Sequence, residues 1–250
     1  MSHALHAEWT KFRTLAGTWW LLLAAAFHCP PAGCTLQQTG ADPAKIGLTG
    51  VFLGQVVIAL IAVLAIGGEY GNGMIRLTLT AVPRRLTAFT AKALVTAAGA
   101  LAASVLAVAG SALAGWLILP GKGLSAANGY VPLSLGNAAD LRAAGGTVLY
   151  LTLIALLAFG VTTAVRDSAA GIGLVLGILL LLPIMSAVIP DQVLSRHLEQ
   201  LAPMTAGLYI QVTEGVRQLP LAPWQGLGVT AAWAAGALTL GAAVLRFRDA

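Results

Sequence analysis

Residues 46–85 read IGLTGVFLGQVVIALIAVLAIGGEYGNGMIRLTLTAVPRR. From Ile46 to Gly68 there is no Asp, Glu, Lys or Arg. At 1.5 Å per residue that run reaches about 34 Å, enough for a hydrocarbon core of about 30 Å. Lipid offers no hydrogen bonds to the backbone, so a run of this kind must be a helix. The chain then changes character: Glu69, Arg76, Arg84 and Arg85 crowd into a short stretch with Pro83. A spanning helix followed by a dense polar patch sets the class as all-α and membrane-embedded.

Working outward, composition agrees. The chain is 58% hydrophobic and 9% charged, against about 25% charged in soluble domains. Four more stretches lack ionisable carboxylates and basic groups: Ala93–Leu119, Ala143–Val165, Ser168–Pro190 and Trp224–Leu245. A first span is less regular. Leu15–Cys29 is about 22 Å long, too short alone, and Pro30-Pro31 kinks its continuation to Leu36. The expectation is therefore six transmembrane helices in one domain, at about 15–36, 46–68, 93–119, 143–165, 168–190 and 224–245. A re-entrant first segment is the alternative, and it would invert every later assignment. A cleaved signal peptide fits poorly, because the apolar core Leu21–Phe27 is short and the residues beyond make a poor cleavage site.

Charge sets the expected orientation. With the N-terminus inside, nine of the fourteen basic residues (Lys11, Arg13, Arg76, Arg84, Arg85, Lys92, Arg166, Arg246 and Arg248) fall on the cytoplasmic side. Lys45, Lys122, Arg142, Arg196 and Arg217 fall outside. The positive-inside rule then predicts a multi-pass protein of the cell membrane with both termini cytoplasmic. The net charge of +5 reflects this topology and contact with anionic lipid, and nothing points to nucleic acid.

Residues 1–14, MSHALHAEWTKFRT, are amphipathic. Leu5, Trp9, Phe12 and Ala16 share a helical face while Glu8, Lys11 and Arg13 lie elsewhere. An interfacial helix is expected there. The segment 191–223 carries Leu194, Leu198, Leu201, Leu208, Tyr209 and Ile210. It is too apolar for a loose loop and too polar to span, so re-entrant or surface helices on the outer side are expected.

Motifs for chemistry are missing. There is no phosphate-binding G-x-x-x-x-G-K-[ST] and no H-E-x-x-H, and no acid lies inside a span to relay protons. No metal site is expected. Cys29 and Cys34 beside His28 leave three readings open: a disulfide, two free thiols or a soft-metal site. Within the spans Gln55 is the most polar residue and is expected to face protein or a cavity, where it is a candidate for a substrate path. Ser104, Ser111, Thr152, Thr162, Thr163 and Ser186 are expected to bond back to their own helices. Gly173-x-x-x-Gly177 suggests close helix packing.

The polar patch itself, GEYGNGMIRLTLTAVPRR at 68–85, interleaves Met74, Ile75, Leu77, Leu79 and Val82 with its charges. Gly71-Asn72-Gly73 should end the preceding helix, and a short amphipathic helix over about 74–81 should stop before Pro83. Such a face is either a docking surface or an interfacial anchor. The pattern Glu69-Tyr70, Gly73-Met74-Ile75-Arg76, Leu79 and Pro83-Arg84-Arg85 resembles the loop signature of ABC-2 type permeases, the membrane subunits of ATP-driven exporters. AEWTKFRTLAGTWWLLLAA at 7–25 is similar to the opening of actinobacterial members of that family. Residues 27–45 depart from the family pattern in being shorter and richer in proline.

The resemblance implies the ABC-2 exporter fold and a division of labour. The chain would be no enzyme itself. ATP and Mg would be bound by a separate ABC ATPase, present in two copies, and a second permease copy would complete a homodimer. The loop 69–92 would couple to the ATPase, with Glu69, Tyr70, Gly73, Met74, Ile75, Arg76, Leu79, Pro83, Arg84 and Arg85 as its site residues and Ile75–Val82 as the coupling helix. Glu69 and Arg76 would exchange charge contacts at the elbow. The N-terminal helix, through Trp9, Lys11, Phe12 and Arg13, would brace the loop. The cargo would be apolar or amphiphilic. The alternatives are a non-transport scaffold or immunity subunit, or an ATP-independent secondary carrier.

Overall fold

The computed structural model describes Leu48, Gly50 and residues 51–71, 85–118 and 137–247. The described residues are almost all helical and contain no strand. Five helices are long and apolar enough to cross a membrane: α1 (Val51–Gly71), α2 (Arg85–Ile118), α3 (Ala138–Val165), α4 (Ser168–Val188) and α7 (Pro223–Phe247). Two short helices, α5 (Gln192–Leu201) and α6 (Pro203–Leu208), lie between α4 and α7. They fit a multi-pass membrane protein. The expected first span and the interfacial helix at 1–14 lie outside the described residues.

Several boundaries differ from those read in the sequence: α2, α3 and α7 begin earlier, α1 runs over Val51–Gly71 in place of 46–68, and α4 stops at Val188. Helix α2 begins at Arg85, eight residues before the apolar run. Its length is about 51 Å, well beyond a 30 Å core, so the expected loop 69–92 loses residues to both flanking helices. Helix α3 begins at Ala138 because Asn137 caps it, its Oδ1 accepting from Ala139 N at 3.1 Å. Helix α1 ends at Gly71, where the glycine-rich break was expected.

Helix α3 is the pillar. Tyr150, Leu151, Ile154, Leu157, Ala158 and Phe159 are fully buried on it, and α1, α2, α4 and α7 all pack against it. Helix α1 presents Val51, Gln55, Ile58, Ala59, Ala62, Val63 and Ile66 inward, a stripe at three- and four-residue spacing. Helix α2 is the opposite case, with Leu94 and Leu106 each about 70% exposed. That exposed apolar surface suits acyl chains and would be a liability in water.

Small residues set the closest approaches. A Cβ on Gly160 would lie 2.6 Å from the backbone nitrogen of Leu238, and one on Gly241 would lie 2.8 Å from the carbonyl oxygen of Gly160. Helices α3 and α7 therefore touch backbone to backbone. The expected contact at Gly173 and Gly177 is not made among the described residues: none of them lies within 4 Å of a Cβ at either. Five of the six hydroxyls expected to bond back to their own helices do so. Ser104, Thr152, Thr162 and Thr163 each donate to the carbonyl four residues back, and Ser186 to the carbonyl of Pro183.

The segment 191–223 folds into the bundle. Asp191 caps α5 through Val193 N at 2.8 Å. Ala202, Ala206, Ile210 and Gln211 are buried against α3 and α7. Gln211 Nε2 donates to Thr147 Oγ1 at 3.2 Å, and Arg142 Nη2 donates to the Val212 carbonyl at 2.6 Å. Short helices were expected here; α6 and the turn after it are enclosed by their neighbours, while α5 has no buried residue.

Candidate functional site

The end of the molecule that carries the junction between α1 and α2 gathers the charged and aromatic residues of interest. Glu69 stands in the last turn of α1, and Lys92 two turns into α2. Lys92 Nζ donates to Glu69 Oε2 in an ion pair, with both side chains roughly a quarter exposed. An exposed ion pair of this type contributes about 0–1 kcal/mol, so its effect is chiefly geometric. It fixes the angle at which the chain leaves α1 and re-enters α2.

Beneath the pair lies a separate apolar cluster of Ile66, Phe89, Phe159 and Leu245, with Tyr70 and Ala93 against it. The rings of Phe89 and Phe159 stand 5.4 Å apart, tilted by 47°. The cluster joins α1, α2, α3 and α7 at one end. Arg166 closes it. Its backbone takes φ 63, its N–H satisfies the Thr162 carbonyl at 2.8 Å, and Nη2 donates to the Val244 carbonyl at 3.0 Å near the end of α7. A cation there also opposes the negative end of the α7 dipole. Any displacement of the α1–α2 elbow must therefore be felt by α3 and α7.

Of the coupling residues expected from the sequence, the structure places Glu69 and Tyr70 on α1 and opens α2 with Arg85. Gly73, Met74, Ile75, Arg76, Leu79, Pro83 and Arg84 lie outside the described residues, as do Trp9, Lys11, Phe12, Arg13, Cys29 and Cys34. Glu69 was expected to meet Arg76; among the described residues its partner is Lys92. The sequence signal for this pairing was slight. Lys92 sits seven residues beyond Arg85, two turns along on the same face.

Gln55 is fully enclosed. Its Oε1 accepts from the Tyr150 hydroxyl, which is itself 0% exposed, and Gln55 Nε2 has no partner among the described groups. It faces protein, as expected of an amide in lipid, and it is held by α3. On the opposite side of α3, Leu149, Thr152 and Leu153 form an apolar groove with Trp224, Leu227, Gly228 and Ala231 of α7. No group of three or more His, Cys, Asp or Glu gathers among the described residues.

No protein-family model matches the chain, and neither does any curated protein.

Proposed function

We propose that the chain is the membrane permease subunit of an ATP-driven exporter of the ABC-2 type. It couples hydrolysis by a separate ATPase to export of an apolar or amphiphilic cargo across the cell membrane. The observation that carries the reading is the braced elbow. The loop with the permease-like signature leaves a helix whose last turn is ion-paired to the next helix, over a cluster that also holds α3 and α7. A push on that loop tilts α1 and α2 together. The ATPase, with ATP and Mg, supplies the push, and two permeases and two ATPases form the working unit, both termini lying in the cytoplasm. The uncharged spans favour a cargo without fixed charge in its membrane-facing part.

Affinity purification of the full chain from its native cells, gently solubilised, tests the assignment. An ATPase of equal abundance is expected, lost when residues 74–82 are scrambled without loss of expression. A chain that purifies alone in several mild detergents would overturn it. With the partner in hand, Glu69→Ala, Arg76→Ala and Lys92→Met should each keep the dimer while lowering permease-stimulated ATP turnover. The charge exchange Glu69→Lys with Lys92→Glu should recover part of the loss. Full stimulated turnover in the three single variants would remove the elbow from the coupling path.

A further inference from the structure

Helix α4 is not α-helical throughout. Ser168–Leu176 is α, Gly177–Leu181 is a single turn of π-helix, and Leu182–Val188 is α again with Pro183 at its start. The cause is local. Proline has no N–H, and its ring crowds the carbonyl four residues back, that of Leu179. A widened turn moves that carbonyl aside and leaves a weak point in the backbone ladder. Gly177, with nothing near its Cβ position, adds no side chain to stiffen the turn.

The two sides of this turn are held differently. Toward the α3 connection, Gly171 packs on Thr162 so closely that a Cβ would lie 2.8 Å from its Oγ1, and Val175 is buried; within the turn Leu179 is buried too. Beyond the turn, Ile184, Met185 and Val188 are exposed and only Ser186 is buried. Helix α5 folds back on this outer half, and Ser195 Oγ donates to the Ser186 carbonyl at 2.7 Å. The far end of α5 is fastened elsewhere. Trp233 Nε1 on α7 donates to the Leu201 carbonyl at 2.9 Å, and Gln200 Nε2 donates to the Pro220 carbonyl at 3.2 Å. At Ala202 the backbone turns extended before α6 enters the core.

We propose that residues 182–201 form a strap that swings as one body on two pivots, the π-turn at Gly177–Leu181 and the extended link at Ala202, with the Trp233–Leu201 and Gln200–Pro220 bonds, and the bond from Thr205 Oγ1 to the Glu199 carbonyl at 2.7 Å across the Ala202 link, as its latch. The outer half of α4 and α5 move together because their seam is bonded. The inner half of α4 stays on α1 and α3. The motion belongs to the chain alone and needs no ATPase to be observed.

The test is a spin-label distance measurement on the full chain in lipid nanodiscs. Leu141→Cys on α3 and Arg196→Cys on α5 carry the labels, both positions being exposed, with Cys29→Ser and Cys34→Ser removing the native thiols. Trp233→Phe keeps an aromatic ring at this position and deletes the latch donor together with the pyrrole part of the indole. It is expected to shift the distribution toward longer distances by roughly five-fold in population, the effect of one net hydrogen bond. Pro183→Ala, which lets the turn close to α, should narrow the distribution to a single distance. Should Pro183→Ala fail to fold, Trp233→Phe decides alone: a distribution it leaves unchanged, with one component or two, overturns the strap.

Discussion

Tyr150 and Gln55 share one hydrogen bond inside the bundle, and neither side chain has an alternative partner in water. Tyr150→Phe leaves the Gln55 amide buried with both ends unsatisfied, which should cost about 1–3 kcal/mol. Thermal unfolding in detergent should show a lowered midpoint, and Gln55→Leu combined with Tyr150→Phe should return most of it, because the pair then becomes apolar. Tyr209, outside the spanning helices, has its phenol raised above the ordinary 10.0 by burial and then by Glu199. A raised acid favours the folded state below pH 10 and loses that contribution as pH rises through the higher folded value. Alkaline unfolding above about pH 10 should therefore weaken in Tyr209→Phe, as followed by circular dichroism against pH. At this scale the sequence was legible where bonding is local. Ser104 and the three threonines could be read as bonding back because their acceptors lie four residues away. Gln55 could be read as facing protein, but Tyr150, 95 residues distant, could not be named, since nothing in a single chain couples two such positions.

Helices α3 and α7 meet at glycine, and the consequence is a sharp asymmetry among substitutions that look alike. Gly160→Ala drives a methyl into the backbone of Ala237 and Leu238, and overpacking of this kind costs about 1–3 kcal/mol. Gly173→Ala meets nothing among the described residues and should gain up to about 1 kcal/mol of helix propensity. Unfolding midpoints should move in opposite directions, and a parallel fall in both would contradict the packing described. The apolar runs that became α1 to α4 and α7 were legible because lipid demands uncharged length. Their ends were not, because they depend on caps and on partners. Arg85 to Lys92 continues α2 with Lys92 held by Glu69, and Asn137 starts α3 ahead of Asp140 and Arg142. The small-residue pattern at Gly173 and Gly177 finds no partner among the described residues, because G-x-x-x-G states that a face is narrow without stating what lies opposite.

Across the whole molecule the two ends of α3 are pinned by arginines in matching fashion, Arg142 to the Val212 carbonyl and Arg166 to that of Val244. Arg142→Met should free the 209–213 turn while leaving the opposite end intact, and hydrogen exchange should quicken at residues 209–213 and not at 240–245. Uniform quickening would mean that α3 had loosened as a whole. The pillar role of α3 was not legible in advance, because its hydropathy resembles that of α4, which is largely exposed. Its neighbours decide, not its composition. Arg166 and Asp167 alone join the two helices, and Asp167 caps the second while Arg166 closes the first. Such a link is too short for either helix to be released by the insertion machinery ahead of the other. The pair is expected to enter the bilayer as a single antiparallel hairpin, the two-residue turn coupling the insertion of one helix to that of the next.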